Sequence, residues 1–105
     1  MSIFAENLQA LPLFDDVAAL QLIDSSGAVC AVIENKPGSQ GSLRVYGHLA
    51  DKWGGIGPDA AQEGLDLYAE HTADARVNPG KHPNIDRLFQ IIERGMRYEV
   101  RAQLR

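Results

Sequence analysis

Basic residues are missing from the first third of this chain: residues 1–35 contain no Lys or Arg. The whole chain carries 10 Lys and Arg against 14 Asp and Glu, a formal net charge of −4. A nucleic-acid binder needs a basic face, and the C-terminal arginines lack interleaved aromatics beyond Tyr98, so nucleic acid is not an expected partner. Cysteine is almost absent too. Cys30 stands alone, which excludes an internal disulfide and suits a reducing compartment. No apolar run approaches the roughly 20 residues of a membrane helix, and "MSIFAENLQALPLFDD" lacks the basic start and apolar centre of a secretory leader. The expectation is a cytoplasmic protein with no membrane partner.

What is present is the composition of an ordinary folded domain. Hydrophobic residues make up 45% and charged residues 23%, which leaves enough apolar surface for a core and argues against disorder. At 105 residues the chain is one globular domain, 1–105, without repeats or linkers.

Periodicity divides it into elements. Ser2 caps a short helix over 3–10, ended by Pro12. "VAALQLID" and "AVCAVIE" flank "SSG", predicting a hairpin with strands 17–24 and 28–34. Both strands are apolar on both faces, so the hairpin is expected to be central or covered on both sides, with Cys30 a buried structural thiol. Leu43, Tyr46, Leu49, Ala50 and Trp53 share one face of a helix over 43–53, capped by Ser42 and stopped at Gly54. Pro58 opens a helix over 58–75, whose inner face includes Gly64, a glycine best explained by close packing. A fourth helix covers 84–94, starting at Asn84 or Pro83 with Asn84 as its expected cap, Ile85, Leu88, Phe89 and Ile92 inward, and Gly95 as stop. "MRYEVRAQL" then alternates strictly, a strand over 96–104 with Met96, Tyr98, Val100, Ala102 and Leu104 on the buried face. The fold class is α+β: about three antiparallel strands packed against three to four helices.

Three places invite chemistry. "NKPGSQGSLR" brings Lys36, Ser42 and Arg44 to the start of a helix, where unpaired amides suit an anion. It matches neither phosphate-loop pattern, and a turn followed by a helix cap explains it more simply. "NPGKHPNIDR" sets Lys81 and His82 on a loop entering a helix, with Asp86 or Glu70 available to orient the imidazole. Lys36, Ser42, Arg44, Lys81 and His82 are therefore the candidate anion-binding residues, provided the two loops meet in space. His71, at the edge of a buried helix face, is expected to be a packed or hydrogen-bonded residue. The third place is an acidic stripe. Asp59, Glu63, Asp66, Glu70 and Asp74 fall within about 80° of each other on one helix face, without a Lys or Arg between them. Opposite it, Arg44, His48 and Lys52 share a face of the preceding helix. Mutual neutralisation of two solvated faces is the simple explanation. The functional one is a surface for a basic protein partner, or a weak cation site at Glu63, Asp66 and Glu70, for which no ligand loop exists.

The stretches "IENKPGSQGSLRVY" and "NPGKHPNIDRL" resemble a family of short bacterial proteins of unknown function, a resemblance running from the hairpin through the last helix. It implies a bacterial, intracellular, single-domain protein and brings no catalytic residues with it. The residues themselves supply no nucleophile–base pair, so catalytic residues are unassigned, the balance leans against an enzyme, and no cofactor or metal is called for. Two functions remain. The first is an interaction or self-assembly module presenting Asp59, Glu63, Asp66 and Glu70, or Arg97 and Arg101 on the last strand, to a basic partner or a second copy. The second is an anion- or phosphate-ligand-binding protein or enzyme using the 36–44 and 81–86 loops.

Overall fold

Eight elements follow one another in the computed structural model, which describes residues 3–105. They are α1 (Phe4–Gln9), β1 (Val17–Ile23), β2 (Val29–Glu34), α2 (Gln40–Trp53), α3 (Pro58–Tyr68), α4 (Glu70–Val77), α5 (Pro83–Arg94) and β3 (Glu99–Leu104). The fold is α+β, with an antiparallel sheet in the order β2-β1-β3. The longest strand, β1, takes the middle. β1 opposes β2 from Ala19↔Glu34 to Leu22↔Ala31, and opposes β3 from Val17↔Leu104 to Ile23↔Glu99.

One sheet face carries Leu20 and Leu22, flanked by Ile33, Ala31 and Val100 in register, and packs on the helices. Behind it the core closes around Leu43, Val45, Tyr46 and Leu49 of α2, Leu65 of α3, and Ile85, Leu88 and Ile91 of α5. Gly64 is where α3 meets α5: a Cβ there would lie 2.8 Å from Leu88 and 3.0 Å from Leu49, so the close approach expected of this glycine is present. Gly54 and Gly95, both left-handed, end α2 and α5 as expected.

Several expectations need correction. The hairpin is not covered on both sides; β2 is an edge, and Cys30 is exposed. An apolar sequence cannot tell a central strand from an edge one, and here a register shift at Leu22/Ile23 leaves Cys30 out of the pairing. The strand predicted over 96–104 joins β1 only from Glu99, because Tyr98 pairs with Ile56 instead (N–H to carbonyl 3.0 Å, and 2.8 Å in return). Ala102 is exposed and Leu104 is 69% exposed, so the buried face expected of this strand ends at the half-buried Val100. Trp53 and Ile92, expected inward, lie on the surface, and Ile91 takes the core position in α5. The helix predicted over 58–75 breaks at Ala69, whose φ of 50° and ψ of −114° separate α3 from α4. α2 begins at Gln40 rather than at a Ser42 cap, and α5 at Pro83 with His82, not Asn84, before it. Ser2, the expected cap of α1, lies outside the described residues. Among the described residues no helix is long and apolar enough to cross a membrane.

Candidate functional site

α1 is a short helix with few internal bonds, and other elements hold it in place. The Arg44 guanidinium donates to the carbonyls of Leu8, Leu11 (3.0 Å) and Pro12 (3.2 Å) at the end of α1 and in the turn after it, Leu8 also accepting the Leu11 amide (3.0 Å). Asn7 donates to the Leu67 carbonyl (2.9 Å), and the Phe4 amide donates to the Glu70 carboxylate (2.8 Å), which that bond holds below the usual range. The result is that Phe4 lies flat on Tyr68, ring centroids 5.2 Å apart and planes 17° from parallel, with its edge meeting His71 (5.1 Å, 82°). Tyr68 comes from the last turn of α3 and His71 from the first turn of α4, so the break at Ala69 decides where both rings point.

The start of α2 closes on the same place. The Tyr68 hydroxyl donates to Ser42 Oγ (2.7 Å), and burial pushes that phenol far above its ordinary range. The α2 ladder takes hold with the Leu43 amide on the Ser39 carbonyl (3.0 Å), so the Gly41 and Ser42 amides precede it.

The third wall is the 78–82 loop and the first turn of α5. Asp74 of α4 accepts from His82 Nε2 (2.6 Å), from Lys81 Nζ (3.0 Å) and from the Asn78 side chain (2.9 Å). His82 and Lys81 together hold its carboxyl down to about 2, so it stays ionised at any physiological pH. Asp86 accepts the Gly80 amide (2.9 Å). Tyr46, its phenol pushed up to about 12 by burial, donates to the Asn84 carbonyl (2.5 Å), while Arg87 donates to Tyr46 (3.1 Å) and to the Asn84 side chain (2.8 Å). Aspartates from two helices and a buried tyrosine thus fix a loop rich in polar residues.

These walls enclose a cavity of about 360 Å³, lined by Phe4, Gly38, Gly41, Ser42, Tyr68, His71, Lys81, His82, Pro83, Asn84 and Ile85. The two polar loops therefore meet. Of the five anion candidates, Ser42, Lys81 and His82 line the cavity, and two do not. Lys36 pairs with Glu34 on the surface (3.4 Å), and Arg44 is spent on the α1 carbonyls. His82 is oriented by Asp74, not by Asp86 or Glu70 as expected, because α4 leads directly into the loop. Sequence reasoning missed Phe4, Tyr68 and His71 as wall residues. Aromatic residues at helical spacing look like core, and only the turn at Ala69 separates wall from core here.

The acidic stripe is largely occupied within the chain. Glu63 accepts from Lys52 (2.6 Å), His48 (2.6 Å) and Trp53 (3.2 Å); burial raises its carboxyl, but these three donors outweigh burial and leave it lowered. Asp66 accepts from Gln62 (3.3 Å), and Glu70 and Asp74 serve the cavity walls. Across α2 and α3 the contacts come from Lys52, which carries the charge, and His48, not from Arg44. Asp59 is exposed in the first turn of α3; Arg97 lies against Gly55 and near Glu99 (3.5 Å); Arg101 is on the outer sheet face opposite Gln21. Among the described residues no three His, Cys, Asp or Glu side chains converge to hold a metal ion.

Comparison with curated proteins and with solved structures gives no match. A family model described as "Uncharacterized protein conserved in bacteria (DUF2322)" matches residues 4–102, from the Phe4 that lines the cavity to the last strand. The chain belongs to that bacterial family.

Proposed function

We propose that this chain is a binding protein for a small anionic ligand, one bearing a phosphate or carboxylate, held in the cavity between the 38–42 and 81–85 segments. One observation carries the reading: two helix starts, Lys81 and two imidazoles line one cavity of about 360 Å³. Helix N-termini present unpaired amides and partial positive charge, and Lys81 adds a full one. Asp74, ionised and 3.0 Å from Lys81, offsets much of that charge but takes only one of the ammonium's three donors, which leaves two for a ligand. His82 spends Nε2 on Asp74, so its Nδ1 donates to an anion only in the imidazolium form. The volume lies at the small end of ligand pockets. An exposed lone thiol at Cys30 suits a reducing compartment, which supports a cytoplasmic setting for the binding.

The test is a titration with inorganic phosphate followed by amide NMR. The expected outcome is saturable shifts at Gly41, Ser42, Lys81, His82 and Asn84. In the double variant Lys81→Ala with His82→Ala, affinity falls about tenfold or more, as charge-assisted hydrogen bonds are worth roughly 1.5–3 kcal/mol each. Shifts that persist unchanged in the double variant refute the reading.

A second reading, self-association through the sheet, is favoured by a different observation. β2 is an edge with Val29 and Val32 about half exposed and no charge between Val29 and Ile33.

A further inference from the structure

The cavity is not uniformly polar. Tyr68, Phe4, His71 and His82 form a continuous row of rings along it, with successive centroids 5.2, 5.1 and 5.7 Å apart. The first pair is nearly parallel, the second perpendicular, the third tilted by 47°, all within the range of favourable ring contacts. The row ends at His82, and the next charge along is Lys81, tied to the same aspartate. At about 30 Å³ per water molecule the cavity has room for about a dozen waters, so a lone tetrahedral oxyanion at the Lys81 end fills a small part of it. The remainder is bordered by Phe4, Tyr68, His71 and Pro83.

Resting on the anion-site reading above, we infer that the ligand carries a planar aromatic or heteroaromatic ring next to its anionic group. The anion meets Lys81, His82 and the helix amides, and the ring extends the row begun by Tyr68 and Phe4. A flat ring recovers stacking and apolar burial from this wall, whereas an aliphatic chain of similar length recovers only burial. Water already hydrates an oxyanion well, so the ring, not the charge, supplies most of the selectivity among ligands with one anionic group.

The experiment compares inorganic phosphate, ethyl phosphate and phenyl phosphate on the full chain, by calorimetry and NMR. Phenyl phosphate binds about tenfold or more tightly than ethyl phosphate, which corresponds to about 1.4 kcal/mol. Its ring protons show intermolecular contacts to Phe4 and His71. In Phe4→Leu the advantage of phenyl over ethyl phosphate shrinks to about twofold. Equal affinities for phenyl and ethyl phosphate, with phosphate still bound at Lys81 and His82, overturn the ring and leave the anion site standing. Failure of all three to bind removes both. Because the proton contacts are measured on the unaltered chain, a poorly folded Phe4→Leu does not blunt the test: phenyl phosphate bound without contacts to Phe4 or His71 also refutes the ring row.

Discussion

Asp24 organises the β1–β2 turn with a single carboxylate. Its Oδ1 accepts from the Ser26 hydroxyl (2.6 Å), the Ser26 amide (2.9 Å) and the Ala28 amide (3.1 Å), and its Oδ2 accepts from the Cys30 thiol (3.1 Å). The Ser26 hydroxyl and the thiol are the main causes of an Asp24 carboxyl held down to about 2, and the same contact raises the thiol above its ordinary value. The thiolate is the reactive form, so Cys30 is accessible but restrained. Asp24→Asn keeps an oxygen for the turn amides and removes both the charge and the thiol's acceptor. Cys30 should then titrate lower and react severalfold faster with a disulfide reagent in mildly alkaline buffer. A rate equal to that of the native chain would show that Asp24 does not govern the thiol. The "SSG" turn was legible in the sequence because Asp, Ser and Gly make turns for local reasons. The exposure of Cys30 was not, because it depends on which strand lies beside β2, and none does on its outer edge.

At the scale of elements, the ends of helices were legible where Gly or Pro marks them, as at Gly54, Pro58 and Gly95, and illegible where tertiary contacts do. Nothing in "LDLYAEHTA" breaks a helix, and no Gly or Pro stands at 69. The break is held by bonds from elsewhere. The Ala69 amide turns to the Asp66 carbonyl (3.2 Å), Asn7 of α1 takes the Leu67 carbonyl, and the buried Thr72 hydroxyl takes the Leu65 carbonyl (2.6 Å). Thr72→Val keeps the shape and deletes the hydroxyl, leaving that carbonyl unpaired in the interior. The expected cost is about 1–3 kcal/mol, read as a fall in Tm of roughly 4–8 °C per kcal/mol for a domain near this size. Thr72→Ser, which keeps the bond, should lose clearly less. If the two variants are equally destabilised in thermal and urea unfolding, the hydroxyl is not what secures the α3–α4 corner. The same corner aims Tyr68 and His71, so Thr72→Val should also disturb the amide signals around the cavity.

Across the whole molecule, the charges and turns that identified the two polar loops lie close in sequence to what they do, and that half of the candidate site was readable. The aromatic half joins α1, α3 and α4, residues far apart in the chain whose meeting depends on Arg44 and Asn7 anchoring α1. Arg44 itself misled for the same reason, as a cation near a loop but bonded to carbonyls more than thirty positions away. The sheet poses the same problem at its edges. β3 has Glu99 and Arg101 along it, with Arg97 just before its start, charges that oppose pairing with another strand. β2 carries a charge only at its end, at Glu34. Val29 and Val32 are 48% and 51% exposed, on the face turned away from the helices, beside Ile23 and Gln21 of β1. Closed dimers are the commonest assembly for such chains, and an antiparallel β2–β2 pair about a twofold axis would satisfy the free amides and carbonyls of both copies. Val32→Lys puts a charge at that edge without touching the core. Sedimentation velocity should show the native chain moving from monomer to dimer as its concentration rises, and Val32→Lys remaining a monomer with unchanged Tm. A native chain that stays monomeric over the same range removes self-association and leaves the ligand cavity as the function to pursue.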